Sequence, residues 1–445
     1  MDRFTRLSAN WVLVLVWASG SVFAGSANDY WPMWRGPGAT GVAASGNPPL
    51  TWSETENVRW KVEVPGEGTS SPIVWGDRIF FLTAIETDRQ APPPAARDDD
   101  APTPFHGGRA PRNVYRFDVI CLDRTTGRTL WQRTAREETP HEGHHPDHGF
   151  ASYSPVTDGT YVWANFGSRG VHCYTVRGDR VWSRDLGRMQ TKLSFGEGSS
   201  PGLVGEALIV VMDHKGQSTI HALDKKTGDT LWQRDRDEMT SWATPVGVEV
   251  NGRLQAIVSA TSFVRAYDVQ TGEVIWKCSG QTQNVVPTPV VGFGLVFCTS
   301  GFRGNALLAI ELGHTGDLTG TDAIRWQVDD ATPYVPSPLL YGDKLYVCSG
   351  NKGIVSCYDA RTGKPHFLEQ RLEAIKGIYA SPVGAADRVY FFGRRGNVQV
   401  IRNCDNFEVL ATNALDDAFD ASPAIVDKEL YLKGKRQVYC ISAAP

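Results

Sequence analysis

No apolar run in this sequence is long enough to cross a bilayer as a helix; the run from Trp11 to Ala18 is roughly half the length required. An excess of basic charge is missing too: 45 Lys+Arg face 49 Asp+Glu, a formal net charge of −4. That balance excludes a general nucleic-acid binder, which would be strongly basic. There is no Cys-x-x-Cys-His for covalent haem, and no two of the eight cysteines are adjacent. No phosphate-cradling glycine loop occurs. Methionine is scarce, with five residues, whereas there are 45 Gly, 26 Pro and 14 Trp. Gly and Pro end elements and aromatics suit pleated surfaces, so this composition points to many short strands rather than long helices. At 41% hydrophobic the chain can bury a large core.

The first 24 residues read as a secretory signal: Arg3 and Arg6 precede the apolar run, and Val22-Phe23-Ala24 fits a small-residue cleavage site. The expected address is the periplasm or beyond, with no transmembrane segment in the mature chain. No Cys lies near the cleavage region, so a lipid anchor there is not expected. Residues 25–57 form an N-terminal extension, and 58–445 are expected to be one domain and a monomer. Most cysteines fall inside strand-like runs; Cys348 and Cys357 flank the turn Gly350-Asn351-Lys352-Gly353 and are the one pair expected to face each other across a hairpin.

An internal repeat organises the chain. A small hydroxyl residue followed by Pro recurs at Ser71, Ser154, Ser200, Thr244, Thr288, Ser337, Ser381 and Ser422, after the first at spacings of 41 to 49 residues. Each copy continues through apolar strands into a phrase of the form small-x-Asp-x-x-Thr-Gly-x-x-x-Trp, as in Cys121, Asp123, Thr126-Gly127 and Trp131. The phrase returns with Trp232 and Trp276, and ends in Phe367 at a fourth site. Asp accepts turn N–H bonds, Gly supplies positive φ, and the aromatic is placed to dock on a neighbouring unit. Trp60, Trp131, Trp182, Trp232, Trp276, Trp326 and Phe367 are the expected docking residues. Four short strands per 40 to 50 residues define a propeller blade, so the fold class is all-β, an eight-bladed β-propeller of four-stranded antiparallel blades. The last copy ends without its aromatic strand, and Val58-Arg59-Trp60-Lys61-Val62 supplies it, closing the ring.

Two stretches depart from the repeat. Glu86 to Asn113 is a Pro-, Asp- and Arg-rich insertion in the first blade, expected to be mobile. Thr134 to Phe150 joins the first two blades and carries His141, His144, His145 and His148. Their i, i+3, i+4, i+7 spacing would gather the rings on a helix, but Pro140, Gly143, Pro146 and Gly149 argue against one; a loop wrapping Zn or Cu is the weaker reading, a solvated loop the stronger.

The Asp-x-x-Thr-Gly-x-x-x-Trp phrases, with Trp31-Pro32-Met33-Trp34-Arg35-Gly36-Pro37, Phe166-Gly167-Ser168-Arg169-Gly170 and Tyr379-Ala380-Ser381-Pro382, resemble the pyrroloquinoline-quinone-type β-propeller repeat family. The resemblance is to secreted bacterial propellers and, more distantly, to the lipoprotein scaffold of the barrel-assembly machinery and to quinoprotein dehydrogenases. The latter would imply pyrroloquinoline quinone with a calcium ion; the scaffold implies protein binding and no cofactor.

In a propeller the inter-blade loops and middle-hairpin turns open on one face. The ring of inter-blade positions is Thr69, Tyr153, Ser199, Trp242, Pro287, Tyr334, Tyr379 and Asp420, and the turns contribute Arg169, Lys215, Arg265, Arg303, Lys352 and Arg394. A rim of that composition would draw small anions or acidic partner segments. No constellation of catalytic residues stands out, since the Ser-Pro recurrence is a strand-entry feature. The expected function is a non-catalytic scaffold binding an envelope protein or a small anionic ligand, with no cofactor. A quinone-dependent oxidoreductase of alcohols or sugars and a carbohydrate-binding propeller remain the alternatives.

Overall fold

The computed structural model describes residues 29–92 and 108–443. The leader, its cleavage site and most of the Pro- and Asp-rich insertion lie outside the described residues. Eight sheets form the ring, and seven follow chain order. Blade 1 is Ile73–Trp75, Arg78–Gln90, Asn113–Asp123 and Thr129–Glu138; blade 7 is Val383–Ala385, Arg388–Phe392, Asn397–Arg402 and Val409–Ala414. Blade 8 joins both ends of the chain: Ala424–Val426, Glu429–Lys433 and Gln437–Ile441 pair with the strand β1 (Val58–Glu63). Val62 lies opposite Val438 and Trp60 opposite Cys440. Glu86 and Gln90 pair with Tyr115 and Asn113, so the departure from the blade begins after Gln90, later than the composition suggested.

The recurring hydroxyl has a structural reason. The backbone N–H of Ser71 donates to Ser154 Oγ at 2.9 Å, that of Ser154 to Ser200 Oγ, and so on through Thr244, Thr288, Ser337, Ser381 and Ser422. Ser422 N–H then returns to Ser71 Oγ at 2.9 Å. Eight hydrogen bonds thus make a closed circle around the channel, each worth on the order of 1 kcal/mol. The Pro that follows keeps the ring residue extended and brings no N–H of its own to be satisfied in the crowded channel.

The second recurring phrase welds blade to blade. The Trp60 indole lies over Gly127 and donates Nε1–H to the Arg124 carbonyl at 3.1 Å. Trp131 does the same over Gly178 and to Val176, Trp182 over Gly228 and to Lys225, Trp232 over Gly272 and to Val269, and Trp326 over Gly363 and to Ala360. Asp224 and Asp359 hold their turns by accepting backbone N–H bonds from Thr227 and Thr362. At blade 5 the contact changes: Thr315-Gly316 is present but no indole rests on Gly316, and Trp276 is instead fully buried while its strand pairs in parallel with Gly316–Asp317. Phe367, with no indole N–H, packs against Phe407 at 5.7 Å. Gly272 has φ of +74°, and a Cβ there would meet the Trp232 ring at 2.5 Å. Gly272→Ala should therefore cost about 2–4 kcal/mol in denaturant unfolding, adding left-handed strain to overpacking; a loss below about 0.5 kcal/mol would show the weld to be slack.

Cys348 and Cys357 do not pair. In register Cys348 faces Val355 and Cys357 faces Tyr346, and both are buried free thiols. The two cysteines therefore sit two register positions apart along the hairpin rather than opposite each other. Burial pushes both thiols up to about 12, which leaves them protonated and inert.

The N-terminal extension enters the channel before it closes the ring. Trp31 pairs with Val74 of blade 1, the Pro32 carbonyl accepts from Thr157 of blade 2, and Ala43 and Gly41 pair with Gly384 of blade 7. At the tip of this insertion Arg35 is 2% exposed and donates to the carbonyls of Pro338 and Pro382, each at 2.6 Å. These are the prolines that follow ring residues Ser337 and Ser381. Gly41, at φ +77°, packs where a Cβ would lie 2.6 Å from the guanidinium. The segment leaves past Asp427, in the turn after the first strand of blade 8, and continues into β1. It is a plug whose charged tip is held inside the hydroxyl circle.

Candidate functional site

Because the plug fills one end, the channel is a blind pocket of about 580 Å³ opening on the loop face. Its floor is Trp34 together with Ser71, Ser154, Ser200, Thr244, Ser381 and Ser422 of the hydroxyl circle. Its wall carries Trp242, Phe302, Arg303, Tyr334, Tyr379 and Asp420. His145, Asp147 and His148 reach over it from the loop between blades 1 and 2, beside Phe195.

Each wall residue is held by a specific neighbour. Trp242 donates its indole N–H to the Gly196 carbonyl at 2.8 Å. Just before it, Ser241 donates to Asp213, which is bonded by both oxygens to Arg236, a pair with no side-chain exposure. Burial alone would lower the Arg236 pKa, but Asp213 outweighs it and holds the guanidinium charged. Tyr334 stacks on Phe302 at 5.1 Å, and Arg303 lies over the same Phe302 ring, 5.4 Å from its centroid. Arg303 adopts φ of +55°, and among the described residues no carboxylate lies within ion-pair distance of it. Tyr379 has Arg394 over its face at 3.9 Å. Arg394 in turn binds Asp420 at 2.7 Å through Nε and Asp147 at 2.7 Å through Nη2.

The six turn cations therefore do not make one rim. Arg169 is buried against Glu197 at 3.2 Å and Glu138 at 3.5 Å, and Arg265 is buried with Asp237 and Glu238. Lys215 and Lys352 are exposed turn residues that do not line the pocket. Arg394 is neutralised in place, and Arg303 is the cation that lines the cavity. Of the inter-blade positions, Thr69, Trp242, Tyr334, Tyr379 and Asp420 line it; Tyr153 is buried with its hydroxyl toward Glu197, and Ser199 and Pro287 are buried and do not line it. Burial and then Glu197 raise the Tyr153 pKa well above its usual value, so the hydroxyl stays protonated. Sequence reasoning missed Trp34, Phe195 and Phe302. Trp34 sits in the quoted Trp-Pro-Met-Trp-Arg-Gly-Pro phrase, which carries no period and so gave no position.

The four histidines do not converge on a common point. His141 Nε2 bonds the Met189 carbonyl at 2.6 Å, His144 turns to Glu67, His145 packs edge-on against Phe195 at 5.4 Å, and His148 bonds Ser152 at 3.1 Å. Burial lowers His148 to about 4, so it is neutral near pH 7. The prolines and glycines of the loop are the reason: no helical face exists to align the rings. His141-Glu142-Gly143-His144-His145 has the spacing of a zinc-protease helix, yet here it is an irregular loop whose first and last histidines point to different neighbours. Gly198-Ser199-Ser200-Pro201-Gly202 likewise has nucleophile-elbow spacing, but Ser200 is a member of the hydroxyl circle with no histidine bonded to it. Among the described residues, the donor group close enough to share an ion is His141, Glu142 and Glu197. Glu197 is already engaged by Ser168, Tyr153 and Arg169.

A calcium ion needs several uncommitted oxygen ligands. The pocket's two carboxylates, Asp147 and Asp420, are both taken by Arg394, and each hydroxyl of its floor already accepts a backbone N–H. This arrangement does not fit a quinone–calcium centre. Among the described residues no helix is long and apolar enough to cross a membrane.

Comparisons with known proteins agree with the architecture. A curated relative, outer membrane protein assembly factor BamB of Francisella salina, is 31% identical over 166 residues, covering 37% of this chain and 30% of that protein. The chain thus matches about a third of that relative's length. The crystal structure of BamB from Moraxella catarrhalis superposes with a TM-score of 0.51 at 15% identity, covering 80% of this chain and 98% of that one. The computationally designed Ika8 protein superposes at 0.52 with 13% identity, covering 89% and 100%. At these identities the likeness concerns fold. The family model described as outer membrane protein assembly factor BamB matches residues 116–369, more than half of the sequence, and the chain belongs to that family.

Proposed function

We propose that this protein is an exported, non-catalytic binding scaffold of the bacterial envelope, and that it takes a small anionic ligand in the blind loop-face pocket. The observation that carries this reading is the plug: Trp34 and Arg35 convert a channel into a cavity of about 580 Å³. A cavity of that size with aromatic walls and a few placed polar groups is the usual form of a small-molecule site. Arg303 supplies a cation that has no ion pair among the described residues, and Arg35 adds a buried charge behind the floor. The envelope setting is supported by the N-terminal signal pattern and by a relative named an outer membrane protein assembly factor. Sugar stacking is less well supported, since Arg394 covers a face of Tyr379 and Phe302 stacks on Tyr334.

The test uses 1-anilinonaphthalene-8-sulfonate, a flat aromatic anion, titrated by fluorescence into the folded chain. One saturable site is expected, weakened about tenfold by Trp242→Ala with Tyr334→Ala, the scale of one or two lost aromatic contacts. Equal affinity in wild type and double variant would overturn the assignment of the pocket.

A further inference from the structure

We propose that Arg394, behind the pocket wall, and Tyr379, in it, form a carboxylate clamp at the pocket's edge, that Asp147 occupies it in cis, and that an aromatic carboxylate binds by exchanging its own carboxylate for that of Asp147. The inference rests on the reading of the pocket as the ligand site and names the class of ligand.

Asp147 belongs to the loop joining blades 1 and 2, yet its bonds cross the mouth of the pocket to blade 7. Arg394 Nη2 donates to Asp147 Oδ1 at 2.7 Å, and the Tyr379 hydroxyl donates to Oδ2 at 2.9 Å. The other loop contacts stay near home: His145 N–H donates to the Phe195 carbonyl, Thr191 to Glu142, and Gly108 to the His144 carbonyl. One side chain therefore ties an irregular Pro- and Gly-containing loop to the far wall.

The two carboxylates on Arg394 differ in kind. Asp420 has 3% side-chain exposure and fixes the guanidinium through Nε at 2.7 Å and Nη2 at 3.3 Å. Lys435 stands 3.6 Å from Asp420 on its other side. Asp147 has 35% exposure and lies on the loop, with His145 4.0 Å away. Removing Asp147 leaves a guanidinium already oriented by Asp420 and by the Tyr379 ring beneath it. A free carboxylate can then accept the same two donors, so hydrogen bonds and charge at the clamp are conserved while Asp147 passes to water. The body of such a ligand would lie along Tyr334, Phe302 and Trp242 above Trp34. A tethered group competes at millimolar effective concentration, which sets an affinity threshold that an untethered neutral aromatic does not face.

The experiment titrates the full chain calorimetrically with indole-3-acetate and with indole-3-ethanol, which has the same ring and no carboxylate. Asp147→Ala is expected to raise affinity for the acid about tenfold by emptying the clamp, and to change the alcohol less than twofold. Tyr379→Phe, which keeps the ring, should lower the acid's affinity by about tenfold or more, the loss of one charge-assisted hydrogen bond. Thermal melts of both variants confirm folding. If Asp147→Ala leaves the acid unchanged or weaker while the alcohol still binds, the clamp is wrong and the pocket stands. If neither probe binds wild type or Asp147→Ala, the pocket reading falls with it.

Discussion

Asp213→Ala is expected to destabilise the protein by about 3–5 kcal/mol, the cost of leaving a buried guanidinium unpaired. Arg236 has no side-chain exposure and three hydrogen bonds to two partners, Asp213 through both oxygens and the Tyr267 hydroxyl at 2.5 Å. Removing Asp213 strips two of its bonds and also the Ser241 anchor at 2.6 Å. Ser241 precedes Trp242, so the damage passes from the blade core to the pocket wall. Equilibrium denaturation measures the first effect and aromatic-anion binding the second; both should fall together. Asp213→Asn keeps an acceptor oxygen and should fall between. A loss below about 1 kcal/mol for Asp213→Ala would mean the charge finds water, against the burial seen here.

Arg35→Met should cost about 2–3 kcal/mol. Two charge-assisted bonds of 2.6 Å to Pro338 and Pro382 are lost, leaving buried carbonyls without donors. Part of that loss is offset because the guanidinium is itself costly to bury: desolvation pulls it down to about 9. Hydrophobic replacement of buried charge is sometimes neutral where the volume is refilled, but methionine cannot reach or satisfy two carbonyls on neighbouring blades. The functional consequence follows from place. With its tip unanchored, the plug frees Trp34 from the pocket floor, so anion affinity should drop along with stability. Arg35→Lys, a point charge able to serve one carbonyl, should recover part of both. Unchanged denaturation for Arg35→Met would show that the plug is held by its backbone pairing alone.

Local chemistry was legible in the sequence wherever it repeated. The Ser-Pro and Thr-Pro pairs mark the hydroxyl circle, once in every blade, and the Thr-Gly turns mark glycines on which indoles rest in several of them (Gly127, Gly228, Gly272, Gly363), because each recurrence answers the same physical demand. Val58 to Val62 could be placed as the closing strand because the last copy lacked one. What did not repeat was illegible. The Trp-Pro-Met-Trp-Arg phrase has no periodic partner, and its place inside the channel depends on carbonyls 303 and 347 residues away. The turn arginines looked alike in sequence, but Arg169 and Arg265 lie beside Glu197 and Glu238, acidic residues in non-repeating connections, and are neutralised there. The bond from Asp147 to Arg394 spans 247 positions and no spacing rule links them. The histidine loop carried metal-like spacings, and its prolines sent the rings in different directions.

The most direct test of the central claim is carbene footprinting of the full chain with and without a deproteinised small-molecule extract of bacterial envelopes. If the plugged pocket is where this protein binds, labelling should fall at Trp242, Tyr334, Tyr379 and Trp34 and stay constant on the outer strands. Protection confined to residues outside the pocket, or none at all, would contradict the account.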